Sequence, residues 1–104
     1  MIRWSPAAPV RAACPHRRLA RLLTAELPEG AAPGASTLRP WASANFVGAR
    51  HLFPCVAGDI ERSALQERLA AVEWRLRGHI VADIAVEPAG DDGHFRIEIL
   101  TVED

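Results

Sequence analysis

Two carboxylates, Asp83 and Glu98, are the residues best suited to general acid–base chemistry. They lie in consecutive segments of alternating apolar and polar residues, which predict the strands of a β-hairpin. One register of this hairpin places them opposite each other, where adjacent carboxylates raise the pKa of one partner, as such catalysis requires. A register shifted by two residues instead pairs Glu87 with Arg96. Because like charges directly opposite each other are unfavourable, we favour two solvated carboxylates over a catalytic pair.

The four histidines, His16, His51, His79 and His94, are candidate metal ligands or general bases. A zinc site needs three or four converging ligands. His79 and His94 fall at opposite ends of the same predicted hairpin, which disfavours a shared metal. His51 falls on a predicted buried face beside Phe46, and a hydrogen-bonded core histidine is the favoured interpretation there, with an acid/base role as the alternative. We therefore expect no metal and no cofactor.

The cysteine content indicates a reducing environment. Cys14 and Cys55 are far apart in the sequence and form no C-x-x-C motif. No apolar run has the length needed to cross a membrane. These features predict a cytoplasmic protein without a membrane span.

The 104-residue chain has an uneven charge distribution. Residues 1–40 contain six arginines and two glutamates, whereas residues 41–104 contain six arginines and eleven acidic residues. All basic residues are arginine, and the abundant Ala, Pro and Gly are typical of a high-GC bacterial genome, so the arginine count alone does not indicate nucleic-acid binding. The basic first third is nevertheless typical of a segment that contacts an anionic partner.

An amphipathic helix is predicted at about residues 15–27. Its leucines recur at helical spacing, at positions 19, 22, 23 and 27. Arg17, Arg18 and Arg21 lie mostly on the other side and are candidate partner contacts. They could contact phosphates, but no aromatic platform of the RNA-binding type accompanies them, and a solvated helix face is the favoured interpretation.

Residues 41–57 predict a first β-hairpin with a two-residue turn at Gly48-Ala49. This turn pairs Phe46 with His51, Ala44 with Phe53, and Ala42 with Cys55 on one mostly apolar face. The other face contains Trp41, Val47, Leu52 and Val56. Because exposed apolar patches usually mark interfaces, we take Trp41, Leu52 and Val56 as candidate partner contacts.

A central helix is predicted to begin at the N-cap Asp59 and to end before Gly78, with an apolar stripe at Leu65, Leu69, Val72 and Leu76. The order of elements predicts an α+β fold with a four-stranded antiparallel sheet. Its two β-hairpins, in ββαββ order, are covered on one face by the central helix, and an additional N-terminal helix precedes them. We divide the chain into a basic Pro/Ala-rich tail with the first helix and a linker (residues 1–37) and a core domain (residues 38–104).

The sequence favours a small non-enzymatic interaction module that self-associates as a homodimer or binds a protein partner. Trp41, Leu52 and Val56 would form the interface, and the three arginines of the first helix would make charged contacts. Nucleic-acid binding through the same arginines is one alternative. A small ligand-binding or acid/base enzyme domain that uses Asp83 and Glu98 is the other.

Overall fold

The computed structural model of the chain describes residues 3–4, 14–56, 60–90 and 93–104. The elements in this part are β1 (Arg3–Trp4), α1 (His16–Glu26), β2 (Ala32–Pro33), β3 (Thr37–Ala42), β4 (Val47–Val56), α2 (Arg62–Ala70), β5 (His79–Pro88) and β6 (His94–Glu103). The predicted N-cap Asp59 and residues 1–2 and 5–13 of the predicted tail lie outside the described residues. Within that tail, Arg3 and Trp4 form strand β1, which pairs with β3.

The strands form one antiparallel sheet in the order β1-β3-β4-β6-β5, with the short β2 paired to the end of β4 beyond β3. Its body is two hairpins, β3–β4 and β5–β6, joined side by side through β4 and β6. The prediction of an α+β fold with a four-stranded antiparallel sheet and helices on one face is therefore confirmed.

Both helices pack on the same face of the sheet and share one hydrophobic core. α1 contributes Leu19 and Leu23, and α2 contributes Leu65 and Leu69, all buried against side chains of the central strands such as Ile97. Burying one leucine stabilises a fold by about 2 kcal/mol. The buried leucines of α1 and those of α2 thus belong to one hydrophobic core.

Helix α2 is shorter than the predicted central helix. Glu61 caps its start, because its carboxylate accepts hydrogen bonds from the backbone N–H groups of Ser63 and Ala64 at 3.1 and 2.9 Å. The helix ends at Ala70, yet Leu76 is still buried by the loop that follows. In that loop the indole N–H of Trp74 donates to the carbonyl oxygen of Leu69 at 3.2 Å. The apolar spacing correctly identified buried side chains, but it extended the helix too far.

The centre of the first hairpin's turn lies four residues earlier than predicted. Ala42 pairs with Val47, residues 43–46 form the turn, and Gly48 lies within β4 opposite Trp41. The predicted facing pairs are therefore wrong, although His51, Phe53 and Cys55 do share the buried face. Gly48 is needed for a different reason: a Cβ atom there would overlap the carbonyl oxygen of Thr101 and lie 3.0 Å from Cζ2 of Trp41.

The second hairpin adopts the register that pairs Glu87 with Arg96, and their side chains form an ion pair at 2.7 Å. Asp83 consequently lies opposite Leu100 instead of Glu98. A register shift between residues 81 and 83 interrupts the predicted alternation of β5. The irregularity turns Val81 toward the core and leaves Ile80 52% exposed on the other face.

Helix α2 covers the outer edge of β5 through one amide side chain. Gln66 donates to the carbonyl oxygen of Ile84 and accepts from the N–H of Val86, both at 2.6 Å. It thereby satisfies backbone groups that an edge strand would otherwise leave unpaired.

We predict that Gly48→Ala lowers the free energy of unfolding by about 3 kcal/mol, because the new methyl group has no space between β4 and β6. Urea unfolding followed by tryptophan fluorescence measures the change. Gly34→Ala is the matched control, because its Cβ atom would meet nothing closer than 3.4 Å. An equal effect of the two substitutions would contradict the close approach at Gly48.

Candidate functional site

A chain of hydrogen bonds crosses the interior between α1 and the sheet. The Oγ atom of Ser36 lies 2.8 Å from Nε2 of His16, and Nδ1 of His16 lies 2.8 Å from Nδ1 of His51. Nε2 of His51 then lies 2.9 Å from Oγ1 of Thr101, whose hydroxyl donates to the carbonyl oxygen of Ala49 at 3.4 Å. We call these four side chains, Ser36, His16, His51 and Thr101, the histidine chain.

Each member of the histidine chain comes from a different segment of the fold. His16 is the first residue of α1, His51 lies on β4, Thr101 lies on β6, and Ser36 immediately precedes β3. His51 and Thr101 are fully buried and His16 is 8% exposed, whereas Ser36 is half-buried. The His16 ring lies nearly parallel to two neighbouring rings, with centroids 5.1 Å from His51 and 5.4 Å from Phe53.

Both imidazoles are kept neutral by their surroundings. Burial, reinforced by the nearby His16 and His79, lowers the pKa of His51 to about 3. Burial also lowers the pKa of His16 below its ordinary value of 6.5. The start of α1 acts in the same direction, because the positive end of a helix dipole disfavours an imidazolium ion.

The hydrogen bond from the Thr101 hydroxyl to the carbonyl oxygen of Ala49 determines the proton positions along the histidine chain. Because the hydroxyl of Thr101 donates to this carbonyl, Oγ1 of Thr101 accepts from Nε2–H of His51. Nδ1 of His51 then accepts from Nδ1–H of His16. The remaining nitrogen, Nε2 of His16, is left to accept the hydroxyl proton of Ser36. Every polar hydrogen of the two rings is thus used inside the protein.

Sequence reasoning identified His51 as a buried histidine but missed its partners. In the sequence, His16 is only one of four candidate metal ligands or general bases, and no local pattern marks Ser36 or Thr101. The hydrogen-bonded pairs are separated by 35, 20 and 50 residues, so no local pattern could have connected them.

The sheet face opposite the helices is a second candidate site, which we call the open face. The register defines its rows across β3, β4, β6 and β5: Trp41, Gly48, Val102 and Ile80; then Arg39, Arg50, Leu100 and Asp83; then Thr37, Leu52, Glu98 and Ala85. Its centre is apolar, with Leu52, Leu100 and Val102 half-buried. Both described helices pack on the other side.

The charges of the open face are separated by strand. β3 and β4 carry Arg39 and Arg50, whereas β5 carries Asp83 and Glu87. The intervening β6 carries one charge of each sign, and its Glu98 forms an ion pair with Arg50. That contact raises the pKa of the Arg50 guanidinium, chiefly through its hydrogen bond to Glu98. Because Arg50 pairs with Glu98 and Glu87 pairs with Arg96, the difference in charge between the two sides lies in Arg39 on β3 and Asp83 on β5.

The predicted interface residues share the open face but differ in exposure. Val56 is 52% exposed and Leu52 is half-buried. Trp41 is only 7% exposed, so the single chain already covers most of its side chain. Its indole N–H is buried and finds no acceptor within the described part of the chain. Leaving such a donor unpaired costs about 1–3 kcal/mol.

The predicted acid/base pair is not assembled. Asp83 is exposed and lies opposite Leu100, and Glu98 is neutralised by Arg50. The arginines of α1 are exposed as predicted. One of them, Arg18, donates from Nε to the carbonyl oxygen of Arg75 at 3.0 Å, and a shallow pocket is lined by Arg18, Arg75, Leu76 and Arg77.

The remaining reactive groups assemble no further site among the described residues. Burial raises the pKa of the Cys55 thiol to about 11, so the thiol stays protonated at neutral pH. Across the described ranges, no three His, Cys, Asp or Glu side chains converge in a way that could hold a metal ion. Within the same ranges, no helix is both long and apolar enough to span a membrane.

Comparisons of the chain with protein-family models, with curated proteins and with solved structures find no match.

We predict that acid destabilises the fold through the buried histidines. In the unfolded chain a histidine titrates near 6.5, so below that pH protons bind the unfolded state preferentially and the free energy of unfolding falls. For His51 this loss continues down to pH 3, at about 1.4 kcal/mol per pH unit. Between pH 7 and pH 5, wild-type protein should therefore lose about 2 kcal/mol more than His51→Gln.

Urea unfolding at the two pH values measures this difference. His94→Gln, which replaces an exposed histidine outside the histidine chain, is the control and should keep the wild-type pH dependence. If His51→Gln loses as much stability as the wild type, His51 is not the neutral buried group described above.

Proposed function

We propose that this protein is a small interaction module that forms a homodimer through its open face. The observation that carries this proposal is the opposite charge at the two ends of one row of that face, with Arg39 on β3 and Asp83 on β5. Such a pattern complements a second copy of itself, because opposite charges meet when the copy is turned around.

A two-fold axis parallel to the strands gives the required arrangement. Such an axis, placed between β4 and β6, lays β3 of one copy over β5 of the other and keeps each row in register with itself. Arg39 of one copy then faces Asp83 of the second copy, and the contact occurs twice. Trp41 faces Ile80 of the second copy, whose side chain is 52% exposed in the single chain. An axis perpendicular to the strands would instead place like charges together.

The size of the open face indicates how tightly such a dimer can bind. Three strands of ten residues and one of six, about 4.8 Å apart and rising about 3.3 Å per residue, form a face of roughly 500–600 Å². That is below the ~800 Å² per partner of a typical stable complex, so we expect the dimer to dissociate on dilution.

Charge reversal on the open face tests the proposed dimer. Arg39→Asp should abolish self-association, because two carboxylates then face each other at both contacts, and Asp83→Arg should do so through two arginines. An equimolar mixture of the two variants should form a heterodimer, and the Arg39→Asp/Asp83→Arg double variant should again self-associate. Light scattering coupled to size-exclusion chromatography, over a range of concentrations, measures each case.

Arg62→Asp and Glu67→Arg are the matched controls, since both residues are exposed on α2, on the other side of the sheet. They carry the same charge changes and should associate like the wild type. A wild-type protein that stays monomeric at millimolar concentration would contradict the dimer. If the wild type associates but the mixture of Arg39→Asp and Asp83→Arg forms no heterodimer, the interface lies elsewhere.

Binding of a nucleic acid or another polyanion is a second candidate function. It is favoured by the shallow pocket where arginines from α1 and from the loop after α2 meet, namely Arg18, Arg75 and Arg77. The hydrogen bond from Arg18 to the backbone of Arg75 holds two of these segments together. Guanidinium groups that share a concave surface present several donors to one phosphate.

We predict that a fluorescent single-stranded oligonucleotide binds the protein at low salt if this second function is correct. The slope of log affinity against log salt should become shallower by about one unit for each of Arg18→Gln and Arg77→Gln. Arg62→Gln, outside the pocket, should leave affinity and slope closer to the wild type. Fluorescence anisotropy measures both quantities. No binding at 20 mM salt, or equal effects of all three substitutions, would contradict this function.

A further inference from the structure

We propose that Ser36 is a nucleophile for acyl transfer from small esters, with His16 as its general base and His51 as the residue that positions this base. This activity is independent of the dimer proposed above, because the histidine chain lies on the helix-covered side of the sheet. A serine hydroxyl bonded to an imidazole, which is oriented in turn by a third buried group, is the arrangement that activates serine nucleophiles.

The proton positions of the histidine chain suit this chemistry. Nε2 of His16 carries the lone pair that faces the Ser36 hydroxyl at 2.8 Å, which is within the range for general-base catalysis. The other nitrogen of His16 donates to Nδ1 of His51, so the ring cannot rotate without breaking a buried hydrogen bond. His51 is fixed through Thr101 to the backbone of β4.

The neutral state of the His16 ring also suits its role as the general base. Because burial lowers the pKa of His16, its lone pair is available at pH 7 and remains available below pH 6.5. His51 carries no negative charge, so it orients His16 but stabilises the transient imidazolium less than a carboxylate would. We therefore expect a slow reaction with activated esters.

Ser36 lies where a substrate can reach it. It is half-buried, and its neighbours Ala35 and Thr37 are exposed. The adjacent start of α1, where His16 is the first helical residue, has no side-chain cap, and its first intrahelical bond is donated by Leu19 to Pro15 at 2.8 Å. The N–H groups at a helix start have no acceptor within the helix and favour negative charge, such as that of a tetrahedral intermediate.

The proposed reaction follows two balanced steps. Oγ of Ser36 bonds to the ester carbonyl carbon while its proton passes to Nε2 of His16, and the departing alcohol then takes this proton. In the second step water loses a proton to His16 and attacks the acyl group on Ser36. The acid is released, and Ser36 recovers its proton from His16.

A fluorophosphonate probe tests the nucleophile on the full-length protein. The Oγ atom of an activated serine displaces fluoride from the probe's phosphorus and retains the phosphonyl group, which mass spectrometry of peptides locates. We expect modification of Ser36 and not of Ser43 or Ser63, which serve as controls within the same molecule. Ser36→Ala should abolish the labelling, and His16→Gln should slow it at least 100-fold.

Hydrolysis of p-nitrophenyl acetate provides a second readout. The wild-type rate above background should be lost in Ser36→Ala. The rates are compared well below the thermal midpoint of this variant, because the substitution also leaves Nε2 of His16 without its hydrogen-bond donor. The rate of ester hydrolysis should persist at pH values below 6.5, because the lowered pKa of His16 keeps its ring neutral there. Equal labelling of Ser36, Ser43 and Ser63, or an ester rate unchanged in Ser36→Ala, would overturn the proposal and leave the histidine chain a purely structural element.

Discussion

The buried pair of histidines is the constraint on which the packing of this protein depends. Two imidazoles in the core are tolerated only if they stay neutral and every ring nitrogen is hydrogen-bonded. The structure meets both conditions by aligning the start of α1 with β4, β6 and the chain before β3. The leucines of α1 provide most of the burial energy, but they would pack in several orientations. The hydrogen bonds of His16 and His51 select one of these orientations.

The two faces of the sheet differ in what they carry. The helix-covered face holds the core and the histidine chain, whereas the open face carries separated charges around an apolar centre. Gly48 on β4 packs closely against the backbone of Thr101 on β6. These two strands hold the hydrogen bond between His51 and Thr101 on the covered face, and they also support Trp41 on the open face. A fold of this size has a small core, so the cost of its buried polar groups is a large fraction of its stability.

Local patterns predicted the elements well and their ends poorly. Leucine spacing identified α1, and the alternation around Ile97 identified β6. The turn of the first hairpin was misplaced because Gly48 fits a tight turn equally well, whereas it is needed for a close approach between strands. The helix α2 was extended too far because Leu76 keeps the apolar spacing although a loop buries it. The pairing of Glu87 with Arg96 was foreseen as one of two registers, and electrostatic complementarity selected it.

The sequence by itself determined the α+β class, the two helices, the second hairpin and the buried position of His51, because each depends on periodicity within about ten residues. Only the tertiary structure decided which side chains meet: His16 with His51, Ser36 with His16, and Arg50 with Glu98. Those contacts join residues 20 to 48 positions apart, and they depend on strand order, register and the docking angle of α1. Such quantities arise from the packing of the whole chain, so no local pattern encodes them.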